Sequence, residues 1–373
     1  MSAADRRLVP LYRAMEAANL DAAAFVPGPN FRQLLGRDFH LMERPLVVIV
    51  PATGAPVAVV PNLEMASFET LGFSGEVFDW RDDVGPADAF AAAGQAMHGL
   101  GRGARFGLEA QRMRVFELMA LQAVFPDADF VDAHAAISSI RLHKDADEIA
   151  CLRAAIGTSE AALEATLRQV RVGMTETEVG VMLVRELFSN GAESLAFDPI
   201  VAAGDNSAQP HAMARADYRI RPGGALLLDF GASHSGYNAD ITRTVFVAEV
   251  SETDRAFYDT VKAANATGRA AIRPGRTAHD VDDAVQSLLE ASPFAAFRRH
   301  KTGHGLGLDV HEAPQIMRGD ATVLDAGMVF TVEPGLYRPG EIGVRIEDDV
   351  AVTTDGIDCL TAFPRDLRIV GAP

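Results

Sequence analysis

Cysteine is almost missing from this chain. Only Cys151 and Cys359 occur among 373 residues. They are too few and too far apart for a zinc knuckle or a disulfide scaffold, so a reduced, cytoplasmic setting is expected. Basic residues are also short: 34 Lys and Arg face 51 Asp and Glu, a formal net charge of -17. That balance excludes phosphate-backbone binding as the main activity, and no nucleic-acid partner is expected. No run approaches the roughly 18 apolar residues of a membrane span. The N-terminal MSAADRRLVPLYRAMEAANL is charged and amphipathic, unlike a signal peptide, and no membrane partner is expected either. What is present is 48% hydrophobic and 23% charged residues, the balance of a globular protein with room for two domains.

Apolar residues at helical spacing predict an opening helix over residues 5–20, through Leu8, Leu11, Tyr12, Met15 and Ala18. DAAAFVPGPN reads as a strand ending in a Gly/Pro turn, and two apolar runs around Thr53 and Gly54 read as a hairpin. Helices follow over 85–99 and 111–123, with short strands in ARFGLEA and ADFVDA. This first α/β part holds no catalytic cluster. A charged approach to a helix that runs through Val170 sets the domain boundary near residue 140, giving domains 1–140 and 141–373.

The second part repeats itself. VRVGMTETEV around Gly173 is echoed by AIRPGRTAHDV around Gly275, and His211 by His311. LLLDFGA around Asp229 is echoed by MVFTVEPG around Glu333, and DITRTVFV around Asp240 by VRIEDDVAV around Glu347. A repeat this long is no solenoid period; it predicts two similar α/β halves about a pseudo-twofold axis, with the acids at the shared centre. Ala225–Val245 itself reads as two apolar strands around a tight turn, each carrying an aspartate. An unpartnered buried carboxylate is costly, so Asp229 and Asp240 require protonation, a cationic partner such as Arg243, or metal. Asp229, Asp240, His304, Glu333 and Glu347 form an oxygen-rich set that suits two divalent ions able to activate a water and polarise a carbonyl. The donors are hard, so Mn²⁺, Co²⁺ or Fe²⁺ suits them at least as well as Zn²⁺, and Mn²⁺ is the first expectation. In HKTGHGLGLDVHEAP the interleaved glycines mark backbone in close approach to something. His304 is the ligand candidate there, and His300 and His311 are candidates to hydrogen-bond substrate or an oxyanion.

DFG, the DITRT aspartate eleven residues later, TGHGLGLDVHE, VEPG and RIEDDV together resemble the pita-bread metallopeptidases, a family that includes prolidase, aminopeptidase P, methionine aminopeptidase and creatinase. The resemblance spans nearly the whole chain. It implies an α/β (α+β) fold, with a creatinase-like N-terminal α/β domain ahead of a pseudo-twofold pita-bread catalytic domain. It also implies that the five named residues are metal ligands, that Glu333 shuttles protons, and that His211, His300 and His311 contact substrate or assist catalysis, with Tyr337 and Arg345 beside them. The implied activity is hydrolysis of Xaa-Pro dipeptides, or of the N-terminal Xaa-Pro bond of peptides. The alternatives are amidine, lactam or sulfonium chemistry at the same site and, further off, a non-catalytic binding module. A small peptide substrate and a homodimer follow from the same resemblance. QLLG at Gln33–Gly36 departs from the family's usual N-terminal segment, and Arg37 and His40 just after it are candidates to influence substrate choice in a dimer.

Overall fold

The computed structural model describes residues 3–100 and 102–371. It divides into two compact units, Met1–Arg141 and Leu142–Pro373.

In the first unit, six strands form one sheet: β1 (Ala22–Phe25), β2 (Val47–Pro51), β3 (Val57–Pro61), β4 (Glu76–Trp80), β5 (Arg105–Leu108) and β6 (Asp129–Asp132), in the order β4-β3-β2-β1-β5-β6. β1–β2 and β2–β3 are antiparallel, and the other pairs are parallel. The β2–β3 hairpin turns at Gly54, whose φ of 104° favours glycine. β1 is apolar at every position because both its faces are covered: Ala22 and Ala24 enter one core cluster, Ala23 and Phe25 the other. This is the pattern of a strand buried on both sides. Helices α1 (Ala3–Ala17), α2 (Pro29–Leu35), α3 (Met65–Glu69), α4 (Ala87–Ala96), α5 (Val115–Val124) and α6 (His134–Ser138) complete the unit. The expected helix over 111–123 starts later, at Val115, where the Arg114 N–H donates to Glu117 Oε2 at 3.2 Å.

The second unit has four long helices, α7 (Ala146–Gln169), α8 (Glu176–Ser189), α9 (Glu252–Ala271) and α10 (Ala278–Ala291). The repeat is visible in its hydrogen bonds. Thr175 caps α8 with Glu178, and Thr277 caps α10 with Asp280. Gly173 N–H donates to Ile220 O and Gly275 N–H to Leu324 O, each at 2.9 Å, from φ values of 87° and 83°. The first half carries β7 (Ser194–Leu195), β8 (Ile200–Ala203), β9 (Ala225–Phe230), β10 (Ala232–His234), β11 (Tyr237–Asn238) and β12 (Ile241–Val247). The second carries β13 (Gly303–Gly305), β14 (Glu312–Ile316), β15 (Val329–Val332), β16 (Gly335–Arg338), β17 (Ile342–Arg345), β18 (Asp348–Val352) and β19 (Ile357–Cys359). β9 pairs antiparallel with β12, and β15 with β18. β9 and β12 are not joined by the tight turn their sequence suggests. The chain leaves through the β10–β11 hairpin, which belongs to a separate three-stranded sheet with β7. No described helix is long and apolar enough to cross a membrane.

The first unit also buries a carboxyl group. Glu109 is wholly buried and accepts a 2.7 Å hydrogen bond from Asn30 Nδ2. Burial outweighs that bond and the nearby Arg112 and Arg141, pushing Glu109 up to about 7. A carboxyl raised above its unfolded value of 4.5 stabilises fully below that value, and the contribution is lost as pH rises toward 7. The loss is on the order of 3 kcal/mol. Glu109→Gln is therefore expected to stabilise the first unit at pH 8 and to have little effect at pH 4.5. Urea unfolding followed by the fluorescence of Trp80, the chain's one tryptophan, measures this; equal effects at both pH values contradict the assignment.

Candidate metal centre and active site

A cavity of about 660 Å³ lies in the second unit, lined by Asp229, Asp240, His304, Glu333 and Glu347 together with His211, His300, His311 and Arg345. Asp229 is in β9 and Asp240 immediately precedes β12, while Glu333 immediately follows β15 and Glu347 immediately precedes β18. The two antiparallel pairs thus deliver one acid pair each. Donor atoms of Asp240, His304 and Glu347 all lie within 4.8 Å of one another. His304 Nε2 is 3.3 Å from Glu333 Oε1 and 3.7 Å from Asp240 Oδ2. Asp229 pairs with Arg345 instead, and its other oxygen, Oδ1, is buried without a hydrogen-bond partner.

The electrostatics of this arrangement are unbalanced. Burial, with the charges of Glu347 and Asp229, raises Asp240 well above the usual carboxylate range. Burial, with Glu333 and Asp229, does the same to Glu347. Glu333 goes the other way: burial acts to raise it, but the hydrogen bond and charge of His304, with His300 and Arg345, hold it at about 2. His304 Nδ1 faces the carbonyl oxygen of Gly305 at 3.1 Å. A carbonyl only accepts, so Nδ1 carries a proton, and Nε2 is the atom turned toward the two carboxylates. Only a shared proton or a cation makes that favourable. The orphaned Asp229 oxygen, the crowded acids and this ring nitrogen among them fit a divalent metal centre of hard oxygen donors with one imidazole.

Arg345 organises the opposite wall. Its Nε donates to Thr242 Oγ1 at 2.9 Å and one terminal nitrogen to Tyr337 Oη at 2.8 Å, while the other meets Asp229. Thr242 passes the chain on, its Oγ1–H reaching Glu347 Oε2 at 2.6 Å. His300 Nδ1 faces Lys301 O at 2.8 Å, so it donates there, and Nε2 accepts from Tyr337 Oη at 2.8 Å. Burial lowers His300, keeping it neutral. Both its ring nitrogens are therefore engaged. His311 is also lowered, by burial and then by His304, and its ring packs edge-on against His304 with centroids 4.2 Å apart. His211 lines the cavity from a loop and is exposed.

The pairing considered for Arg243 is not with Asp229 or Asp240. Arg243 is buried and donates to Asp348 Oδ1 at 2.8 Å; beginning β12 with Ile241 turned its side chain away from the acids and toward β18. Close approach at the glycines proves to be packing of strands: a Cβ on Gly303 would lie 2.0 Å from Thr331 O, and one on Gly305 2.0 Å from Ala313 O. Arg37 and His40 belong to the first unit and are not among the residues that line this cavity. Sequence reading assigned no part to Thr242 or Asp349, although both stand inside quoted motifs; Asp349 Oδ2 accepts from the Asp240 N–H at 3.1 Å. It also gave nothing to Phe197, Ile200 and Val310, the apolar part of the wall.

The model of metallopeptidase family M24 matches residues 150–354, and that of the creatinase/prolidase N-terminal domain matches residues 7–143. The chain is 38% identical over 266 residues to the Bacillus subtilis peptidase YqhT, covering 71% of this chain and 75% of that one. It is 31% identical to an Xaa-Pro dipeptidase of Lactobacillus helveticus, covering 93% and 94%. A solved prolidase from Thermococcus sibiricus superposes with a TM-score of 0.93 at 32% identity, covering 99% of this chain and 100% of that one.

Asp240→Asn removes one candidate ligand atom and one crowded charge. Metal-free, the variant is expected to melt at or above the wild-type temperature; with Mn²⁺ it is expected to lose the wild-type's thermal stabilisation and at least half its bound metal. Elemental analysis and thermal melts measure both. Unchanged metal content contradicts the ligand reading.

Proposed function

The chain belongs to metallopeptidase family M24, and from that premise we propose that it hydrolyses Xaa-Pro dipeptides, with the N-terminal Xaa-Pro bond of longer peptides as the second reading. The observation that carries this is the cavity: 660 Å³, with an acid-rich floor and the apolar wall of Phe197, Ile200 and Val310. That size suits a small ligand, and the wall suits a proline ring. The peptidase relatives support the same chemistry.

Asp229, Asp240, His304, Glu333 and Glu347 are the proposed ligands of two divalent ions, Mn²⁺ first because the donors are hard. Bound there, the ions would supply Lewis acidity, making a water nucleophilic near neutral pH and drawing charge from the scissile carbonyl. The protein's own groups do the rest. Glu333, held as a carboxylate, takes a proton on Oε2 and returns it to the leaving nitrogen. A proline nitrogen has no amide hydrogen of its own, so it must receive one to depart as an amine. In this reading His211 and His311, which line the cavity, donate to the carbonyl oxygen as it gains charge. His300, with both nitrogens engaged, acts through Tyr337 and Arg345, keeping Arg345 on Asp229. The reading includes a homodimer in the cytoplasm, which rests on the resemblance and on the scarcity of cysteine.

Purified protein supplied with Mn²⁺ is expected to cleave Xaa-Pro dipeptides, and His311→Ala to lower kcat at least a hundredfold while metal content is unchanged. Cleavage of longer Xaa-Pro peptides alone supports the second reading. Two bound metals with cleavage of neither class contradicts both and points to a small non-peptide substrate.

A further inference from the structure

One buried ion pair in the second unit stands outside the cavity, behind the loop that carries His311. Lys144 Nζ lies 2.5 Å from Glu312 Oε1, and the two side chains are only 2% and 3% exposed. Lys144 precedes α7, far away in sequence, and its N–H is fixed to Gly327 O at 2.8 Å. Taking both charges out of water costs several kcal/mol per ion, and an apolar pair of similar volume is often as stable. Stability alone is a poor reason for this pair.

Its surroundings give a better one. Glu312 adjoins His311, and its second oxygen, Oε2, accepts from the Asp309 N–H at 3.4 Å. Gly307, in the same loop, packs on the pair so closely that a Cβ there would lie 2.7 Å from Glu312 Oε1 and 2.9 Å from Lys144 Cε. From the opposite side Asn238, two residues before Asp240, clasps the loop: its Nδ2 donates to Gly307 O at 3.1 Å and to Leu308 O at 3.2 Å. The loop is thus pinned between an ion pair and the strand that leads to Asp240. Its product is the placement of the His311 ring against His304.

We propose that the Lys144–Glu312 ion pair is a positioning device for His311, fixing the loop from Leu306 to His311 so that the imidazole meets the substrate carbonyl oxygen. Neither residue touches substrate; both act through His311. The proposal rests on the function given above for the cavity. Misplacement of a positioned group by about 1 Å can cost on the order of a hundredfold in rate, so a loosened loop should show in kcat rather than in substrate affinity.

The test uses the full-length Mn²⁺-loaded protein and an Xaa-Pro dipeptide. Lys144→Met/Glu312→Gln, which leaves no unpaired buried charge, is expected to lower kcat about tenfold or more with KM within about threefold. Gly307→Ala, which wedges the pair apart while keeping both charges, is expected to do the same and covers the case in which the double variant does not fold. In a His311→Ala background either change is expected to alter kcat by less than about twofold. Wild-type kcat in Gly307→Ala, or losses that multiply onto His311→Ala, overturn the proposal. Imidazole resonances of His311 in protein loaded with diamagnetic Zn²⁺ give a readout free of activity: they are expected to shift in Gly307→Ala, and unchanged resonances overturn the proposal. A wild-type chain that cleaves no Xaa-Pro substrate refutes the proposed activity instead, and leaves the resonance test to decide the loop.

Discussion

Charge crowding is the constraint on which the second unit depends. Asp229, Asp240, Glu333 and Glu347 line one cavity with a single buried guanidinium, that of Arg345. Four carboxylates meet one buried guanidinium there, and the other two cations of the lining, Arg299 and Lys301, are exposed and half-buried. Protein groups alone do not settle this. Asp240 and Glu347 are driven toward protonation by burial and by each other's neighbours, and Asp229 keeps a buried oxygen with no donor. A centre built this way is unfavourable until its charge is offset, and a divalent cation would do that.

The fold brings the acids together by using one device twice. Each half begins with a capped helix and a glycine turn, and each supplies an antiparallel strand pair with acids at its ends. The halves are then tied across the centre. Arg243 reaches Asp348, Glu347 N–H donates to Thr242 O at 3.1 Å, and Arg345 N–H donates to Thr244 Oγ1 at 3.2 Å. Arg269 and Arg365 add further charge to Asp348, at 3.4 Å and 2.6 Å, so this acid stays ionised despite its burial, lowered rather than raised. Adjacent buried aspartates thus have opposite fates: Asp348 is surrounded by arginines, while Asp349 is raised by burial and turned to the backbone of Asp240.

Much of this was legible in the residues. Apolar runs interrupted by single acids identify strands with something to hold, and the repeat predicts that the acids share a centre, because two similar halves place equivalent strands about one axis. The five candidates do line one cavity. What the sequence hid depends on side-chain direction and on contacts distant in the chain. Arg243 could be placed near the acids but not aimed, and only its hydrogen bond to Asp348 shows where it points. The tight turn after Asp229 was a misreading for a similar reason. ASHSGYN is a short hairpin of its own, and nothing local says that it joins a different sheet. Lys144 and Glu312 were invisible as a pair because 168 residues separate them. The glycines of HKTGHGLG correctly signalled close approach, yet the neighbours of Gly303 and Gly305 are strand carbonyls.

Diffraction from crystals loaded with Mn²⁺, recorded at a wavelength where manganese scatters anomalously, tests the central claim most directly. The account predicts two anomalous peaks in the cavity, bounded by Asp229, Asp240, His304, Glu333 and Glu347, with Asp229 Oδ1 turned to one of them. Peaks elsewhere on the chain, or a cavity without one while Asp229 remains bound only to Arg345, would contradict it.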